Sequence, residues 1–159
     1  MKKLVIILGI GLFSYACSSN NNQQQQDSAA VSSTTKQTET GTGNYDPKRG
    51  EGKFTNVALG EALDSKMAEQ GHTIANLKCA SCHKYTDEKL VGPGWAGVSK
   101  KHSPEWIMNF ITNPDAMIDK DPELQAQLEI CLVRMPNQNL SDEDARNILE
   151  FMRKNDGVK

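Results

Sequence analysis

Cys79, Cys82 and His83 form the pattern Cys-x-x-Cys-His, which could carry out a specific covalent chemistry. Two thiols separated by two residues can each add to a vinyl group of a porphyrin. The adjacent imidazole then lies beneath the ring with a nitrogen directed at the iron. Because this pattern is typical of c-type haem attachment, the sequence predicts one covalently bound haem with His83 as its first iron ligand.

The rest of the chain argues against two other interpretations of the paired cysteines. A structural zinc site needs a second pair of ligands, and the sequence contains no second Cys-x-x-Cys and no His-x-x-x-His. A thioredoxin-like redox pair expects a βαβ context, whereas the flanking sequence is typical of helix and loop. Haem attachment is therefore favoured over both.

The second iron ligand must come from elsewhere in the chain, and methionine is the common partner of histidine in electron-transfer haems. Six methionines are present. Met135 is preferred because the following Pro136 stiffens a loop that can hold the thioether against the iron. Met117, His72 and His102 are the alternatives, together with an open coordination position.

The first 17 residues have the layout of a secretory signal, with Lys2 and Lys3 ahead of the apolar run from Leu4 to Phe13. This run is too short for a membrane span. Residues 14–17 resemble a bacterial lipobox, with Ser14 where leucine is usual, so lipid attachment at Cys17 is expected. An ordinary cleaved signal or an uncleaved anchor is the alternative. The expected location is the periplasmic side of a bacterial membrane, with the choice between inner and outer membrane left open.

Residues 18–52 form a run rich in Ser, Asn, Gln and Thr that lacks the aliphatic residues needed to fold, so a disordered linker is expected. Residues 53–159 form the predicted folded domain. The formal charge of −2 does not indicate the basic surface that nucleic-acid binding would need.

The elements that position the haem residues are predicted to be helices. One helix leads into Cys79, a second begins at Ser103 and ends at Asn113-Pro114, and a third runs over 122–132. A capping box at residues 141–144 begins an amphipathic last helix that ends near Asn155 and Gly157. Cys131 is expected to be buried, with a thiolate ligand or a reactive thiol as the alternative.

The loop at residues 90–98 carries Gly92, Pro93 and Gly94, and together with the haem motif, Met135-Pro136 and a terminal helix it resembles class I monohaem cytochromes c. The resemblance covers about residues 66–155. It implies an all-α class I cytochrome c fold of three to five helices around one haem, preceded by the disordered linker. It also implies that the carbonyl of Pro93 accepts a hydrogen bond from His83, and that Gly71 lets the last helix cross tightly. Phe151 is the predicted partner of Gly71.

The resemblance implies an electron carrier and not an enzyme. Its expected donor is a quinol-oxidising complex or another cytochrome, and its acceptor is a periplasmic reductase or oxidase. The segments at residues 90–95, 113–115 and 131–136 are similar to small cytochromes of nitrous oxide reductase systems. Lys78, Lys84 and Lys89 could steer an acidic partner. The alternative is a haem enzyme or gas sensor with an open iron position.

Overall fold

A computed structural model describes residues 45–159 as helices joined by loops, with no β-strand in that part of the chain. The helices are α1 (Ser65–Lys78), α2 (Val98–Lys101), α3 (Pro104–Thr112), α4 (Pro114–Ile118), α5 (Pro122–Cys131) and α6 (Asp142–Asn155). The all-α prediction is confirmed. Two of these helices, α2 and α4, are short turns that the sequence analysis did not anticipate.

The first and last helices cross at Gly71, as predicted. A Cβ atom added to Gly71 would lie 1.9 Å from the backbone oxygen of Asn147 and 2.9 Å from the backbone nitrogen of Ile148. The prediction that Phe151 is the partner of Gly71 is wrong, because glycine lets two backbones meet without any side chain between them. Phe151 lies farther along α6, where its ring centroid is 4.7 Å from that of His72.

Side-chain caps set the helix starts. The Ser103 side chain accepts a hydrogen bond from the backbone of Trp106, and Pro104 follows at the first helical position. Ser141 and Asp144 form the predicted capping box of α6. Asn113-Pro114 ends α3 as predicted, but the same Pro114 begins α4, because a residue that cannot continue one helix fits the first turn of the next.

The folded domain begins before residue 53, which corrects the predicted linker boundary. The Tyr45 hydroxyl donates a hydrogen bond of 2.5 Å to Asp121, and the Asn109 side chain donates to the carbonyls of Arg49 and Phe54. Gly50 is buried, and a Cβ there would lie 2.4 Å from the terminal methyl carbon of Met117. An aromatic anchor and a glycine that permits close packing fix this segment to α3, to α4 and to the N-cap of α5. The rest of the predicted linker, the signal segment and Cys17 lie outside the described residues.

Within residues 45–159, no helix has both the length and the apolar character needed to cross a membrane.

Candidate haem site

A cavity of about 570 Å³ lies among the helices, within the size range of protein sites for small molecules and cofactors. Its wall is mostly apolar. The segment Cys79–His83, the loop at residues 91–97, α3, α5 and the loop before α6 all contribute lining residues. All five cofactor-binding residues predicted from the sequence line this cavity: Cys79, Cys82, His83, Pro93 and Met135.

Backbone hydrogen bonds fix the attachment segment at the end of α1. The amide of Cys79 donates to Ala75, and the amides of Cys82 and His83 both donate to the carbonyl of Cys79, at 3.0 and 2.9 Å. This turn brings both thiols and the imidazole to one side of the cavity. Both cysteines are free, and burial raises the pKa of the Cys79 thiol to about 11, so the thiol is neutral at ordinary pH.

The imidazole of His83 is oriented by the loop that follows. Its Nδ1 lies 2.8 Å from the carbonyl oxygen of Pro93, the hydrogen bond that the resemblance implied. With Nδ1 donating to this carbonyl, Nε2 is left as the metal-binding nitrogen. Burial lowers the pKa of His83, which favours the neutral imidazole that a metal requires.

Gly92 is required beside this ring. A Cβ there would lie 2.4 Å from Cε1 of His83. The Gly92 amide donates a hydrogen bond of 2.8 Å to the carbonyl of Cys82. A larger residue would displace either the imidazole or the loop. The glycine-rich loop is therefore a support for the proximal ligand.

Met135 reaches the same cavity from the loop between α5 and α6, where it is half-buried against the core. Met117, the main alternative, is fully buried beside Gly50 and is not among the lining residues. His72 also lies outside the lining. His102 lines the wall, but its ring stacks on Trp106 at 3.8 Å between centroids. The assignment of Met135 as the second iron ligand stays a prediction.

Met152 and Cys131 also line the cavity. Met152 is buried within the core cluster on α6. The sequence predicted a buried Cys131, and in the structure its side chain is only half-buried.

Several wall residues were not predicted as such, because their only sequence signal was a place on an apolar helical face: Phe110, Ile111, Ile118, Leu124 and Leu128. Nor was the role of Asp121 predicted, which is buried and accepts hydrogen bonds from both Trp106 and Tyr45.

The zinc alternative finds no support in the described part of the chain. Among residues 45–159, no group of three or more His, Cys, Asp or Glu side chains is arranged to hold a metal ion. A four-ligand zinc centre built on Cys79 and Cys82 would need such a group.

The fold and the site together define a class I cytochrome c. The family model described as "Cytochrome c" matches residues 68–156, which is more than half of the chain. The chain belongs to the cytochrome c family. Cys79 and Cys82 are accordingly positioned for covalent attachment of one haem c, and the apolar cavity, the oriented His83 and the clearance at Gly92 fit that group.

Solved structures agree with this assignment. A cytochrome c from Rhodothermus marinus is 36% identical, with a TM-score of 0.64, over 66% of this chain and 90% of that one. An engineered cytochrome c from the same organism, Rma TDE, is 35% identical with a TM-score of 0.63 over the same shares. A third structure, of Rma TDE bound to a carbene intermediate, is also 35% identical, with a TM-score of 0.60 and the same coverage. A search of the curated proteins found no match.

The haem supplies reversible Fe(III)/Fe(II) exchange, so the chain takes part in haem-based electron transfer with redox partner proteins. Two of the lysines considered for partner steering make contacts within the protein. Lys78 donates to the carbonyl of Gln138 at 3.0 Å, and Lys84 pairs with Glu88.

Proposed function

We propose that this cytochrome c is a dedicated single-electron carrier in which Met135 fills the iron position opposite His83. One observation carries the proposal: His83 and Met135 line the same apolar cavity from separate segments, while Met117 lies outside it. With both axial positions filled there is no open site for a substrate, so we propose that the protein is not an enzyme. Its residues hold the ligands, exclude water and present a surface to partners.

The chain's residues prepare the cavity for this role in two ways. The Pro93 carbonyl makes the His83 imidazole a better electron-pair donor to iron by accepting a hydrogen bond from its Nδ1–H. Buried side chains such as Trp95, Ile111 and Leu124 keep the wall dry, and burial is one of the factors that set a haem reduction potential.

Substitution of Met135 by leucine tests the proposed ligand. The ferric wild-type protein is expected to show the weak long-wavelength absorption band of methionine ligation, and Met135→Leu should abolish it while the haem stays covalently attached. Met67→Leu is the matched control, because Met67 lies on α1 and is not among the cavity-lining residues. A wild-type protein that lacks the band and readily binds carbon monoxide when reduced would overturn the carrier proposal.

The second candidate function is a haem enzyme or gas sensor with an open iron position. The observation that favours it is the irregular loop around Met135, which contains no helix or strand between α5 and α6. The engineered R. marinus relative bound to a carbene intermediate is a case of the same fold holding a reactive ligand. The carbon monoxide measurement on the reduced wild-type protein separates the two functions.

We also propose that the protein is a lipoprotein on the periplasmic side of a bacterial membrane, anchored through Cys17. The support is the signal-like start of the sequence and its agreement with haem attachment outside the cytoplasm. Cys17→Ser should move the haem protein from the membrane fraction to the soluble fraction. Cys131→Ser, which leaves the lipobox intact, should not. Equal membrane retention of the two variants would contradict lipid anchoring at Cys17.

The proposed acceptor is a periplasmic terminal reductase or oxidase, and a nitrous oxide reductase system is the specific candidate. The proposed donor is a quinol-oxidising complex or another cytochrome. The support is the similarity of residues 90–95, 113–115 and 131–136 to cytochromes of those systems. Rapid oxidation of the reduced protein by purified nitrous oxide reductase would support this acceptor, and no oxidation at micromolar concentrations would contradict it.

A further inference from the structure

The loop that carries Met135 lacks the backbone support found elsewhere around the cavity. Residues 133–140 connect α5 to α6, and none of their backbone groups forms a hydrogen bond with another backbone group of residues 45–159. Two hydrogen bonds within the loop are local, from the Gln138 side chain to Pro136 and from the Asn139 amide to Asn137. The backbone alone therefore does not fix the position of Met135.

Two cationic side chains tie this loop to the helices. Lys78, the last residue of α1, donates its ammonium to the carbonyl of Gln138 at 3.0 Å. Arg134 donates Nε to Asp115 and Nη2 to Asp119, each at 2.8 Å. These contacts lie on either side of Met135, one residue before it and three residues after it. The remaining attachment is apolar packing of Met135 and Leu140 against the core.

We propose that Lys78 and Arg134 form a two-point clasp that holds the Met135 loop over the cavity and controls how readily an external ligand reaches the iron position. This inference rests on the proposed role of Met135 as the second ligand. Lys78 and Arg134 are positioning residues, since neither is itself proposed to bind the iron. Lys78 immediately precedes Cys79, so the clasp also joins the attachment segment to the opposite side of the cavity.

The two contacts of the clasp differ in kind, and this gives a specific signature. The Arg134 contact is an exposed ion pair with two carboxylates, and ion pairs at the surface weaken as salt screens them. The Lys78 contact is a hydrogen bond to a neutral carbonyl, which depends less on salt. Loop opening should therefore rise with ionic strength in the wild-type protein and lose most of that dependence when Arg134 is replaced.

Imidazole titration of the ferric, haem-loaded protein tests the clasp. Imidazole competes with the Met135 thioether, and loss of the long-wavelength band reports its binding. Because an exposed ion pair, or one exposed hydrogen bond, changes an equilibrium by only a few fold, Lys78→Met and Arg134→Met should each tighten apparent imidazole binding by up to about fivefold. The double variant should exceed either single one. Lys66→Met, on the same helix as Lys78 but at its exposed start, is the matched control.

A conservative variant of Lys78 separates a role in positioning the loop from a general loss of folding. Lys78→Arg keeps a donor and should restore near wild-type imidazole binding, and circular dichroism should report unchanged helix content in every variant. A double variant that binds imidazole like the wild type, at both low and high salt, would overturn the clasp alone. A wild-type protein without the band would overturn the Met135 assignment and, with it, the clasp.

Discussion

The two sides of the cavity are built in different ways. On the His83 side, the attachment segment and the glycine loop are joined by backbone hydrogen bonds, including those from the amides of Val91 and Gly92 to the carbonyl of Cys82. On the Met135 side, residues 133–140 have no such bonds within the described domain, and side chains hold the loop. The difference indicates that the fold fixes the covalent side and leaves the opposite side adjustable.

Helix packing reinforces this asymmetry. The attachment segment continues directly from α1, which is locked against α6 by the backbone contact at Gly71. The Met135 loop follows α5, which has one buried residue, Leu124, and whose C-cap, Leu132, is exposed. Substitutions on the His83 side should therefore lower haem retention or stability more than substitutions on the Met135 side.

Removal of both attachment thiols should give the largest effect. In Cys79→Ser/Cys82→Ser the covalent bonds cannot form, so no haem should remain with the chain on a denaturing gel stained for haem. Cys131→Ser should retain full staining, because that thiol lies outside the attachment motif. Staining of the double variant equal to that of wild type would show that attachment does not depend on these cysteines.

The sequence was most informative where chemistry demands particular residue types. The haem motif and the caps at Ser103 and Ser141 follow from local rules, whereas the hydrogen bond to Pro93 and the crossing at Gly71 were implied by the resemblance to class I cytochromes c. The structure contains all of them. Such features could be predicted because only a few residue types satisfy each steric or bonding requirement.

Features that depend on tertiary packing could not be predicted in this way. Nothing local indicates that Tyr45 reaches Asp121, far along the chain, and the low-complexity residues before it suggested that the linker continued. Glu150 is a charged residue, a type that usually lies at the surface, yet it is buried between Arg146 and Arg153, which satisfy its carboxylate. Both contacts depend on the fold that brings these residues together.

Gly71→Ala should give the next largest effect. The added methyl would lie 1.9 Å from the Asn147 carbonyl oxygen, so α1 and α6 must separate. Overpacking of this kind costs about 1–3 kcal/mol, which should outweigh the gain of about 1 kcal/mol in helix propensity. Urea unfolding of the holoprotein followed by circular dichroism measures the difference. Thr73→Ala, at an exposed position of the same helix, should change stability little. Equal stability of the two variants would mean that the crossing is not tightly packed.

Leu132→Asn should give the smallest effect and should stabilise the protein. Leu132 ends α5 in the left-handed conformation, with φ of 58°, and 84% of its surface is exposed. On the other side of the cavity, the turn before α2 has φ of 83° and uses Gly97. Asparagine tolerates this conformation better than leucine. The free energy of unfolding, measured with urea, should therefore rise by about 0.5–1 kcal/mol in the variant.

The control for this change is Leu77→Asn, because Leu77 is equally exposed at 82% but lies in the last turn of α1 with helical backbone. Asparagine has lower helix propensity than leucine, so this control should lose about 0.5 kcal/mol. Opposite signs for the two variants would show that backbone strain at Leu132 is relieved where the Met135 loop begins. If both variants lost stability equally, Leu132 would be stabilising the folded state through its side chain, and the adjustable loop would be better anchored than its backbone indicates.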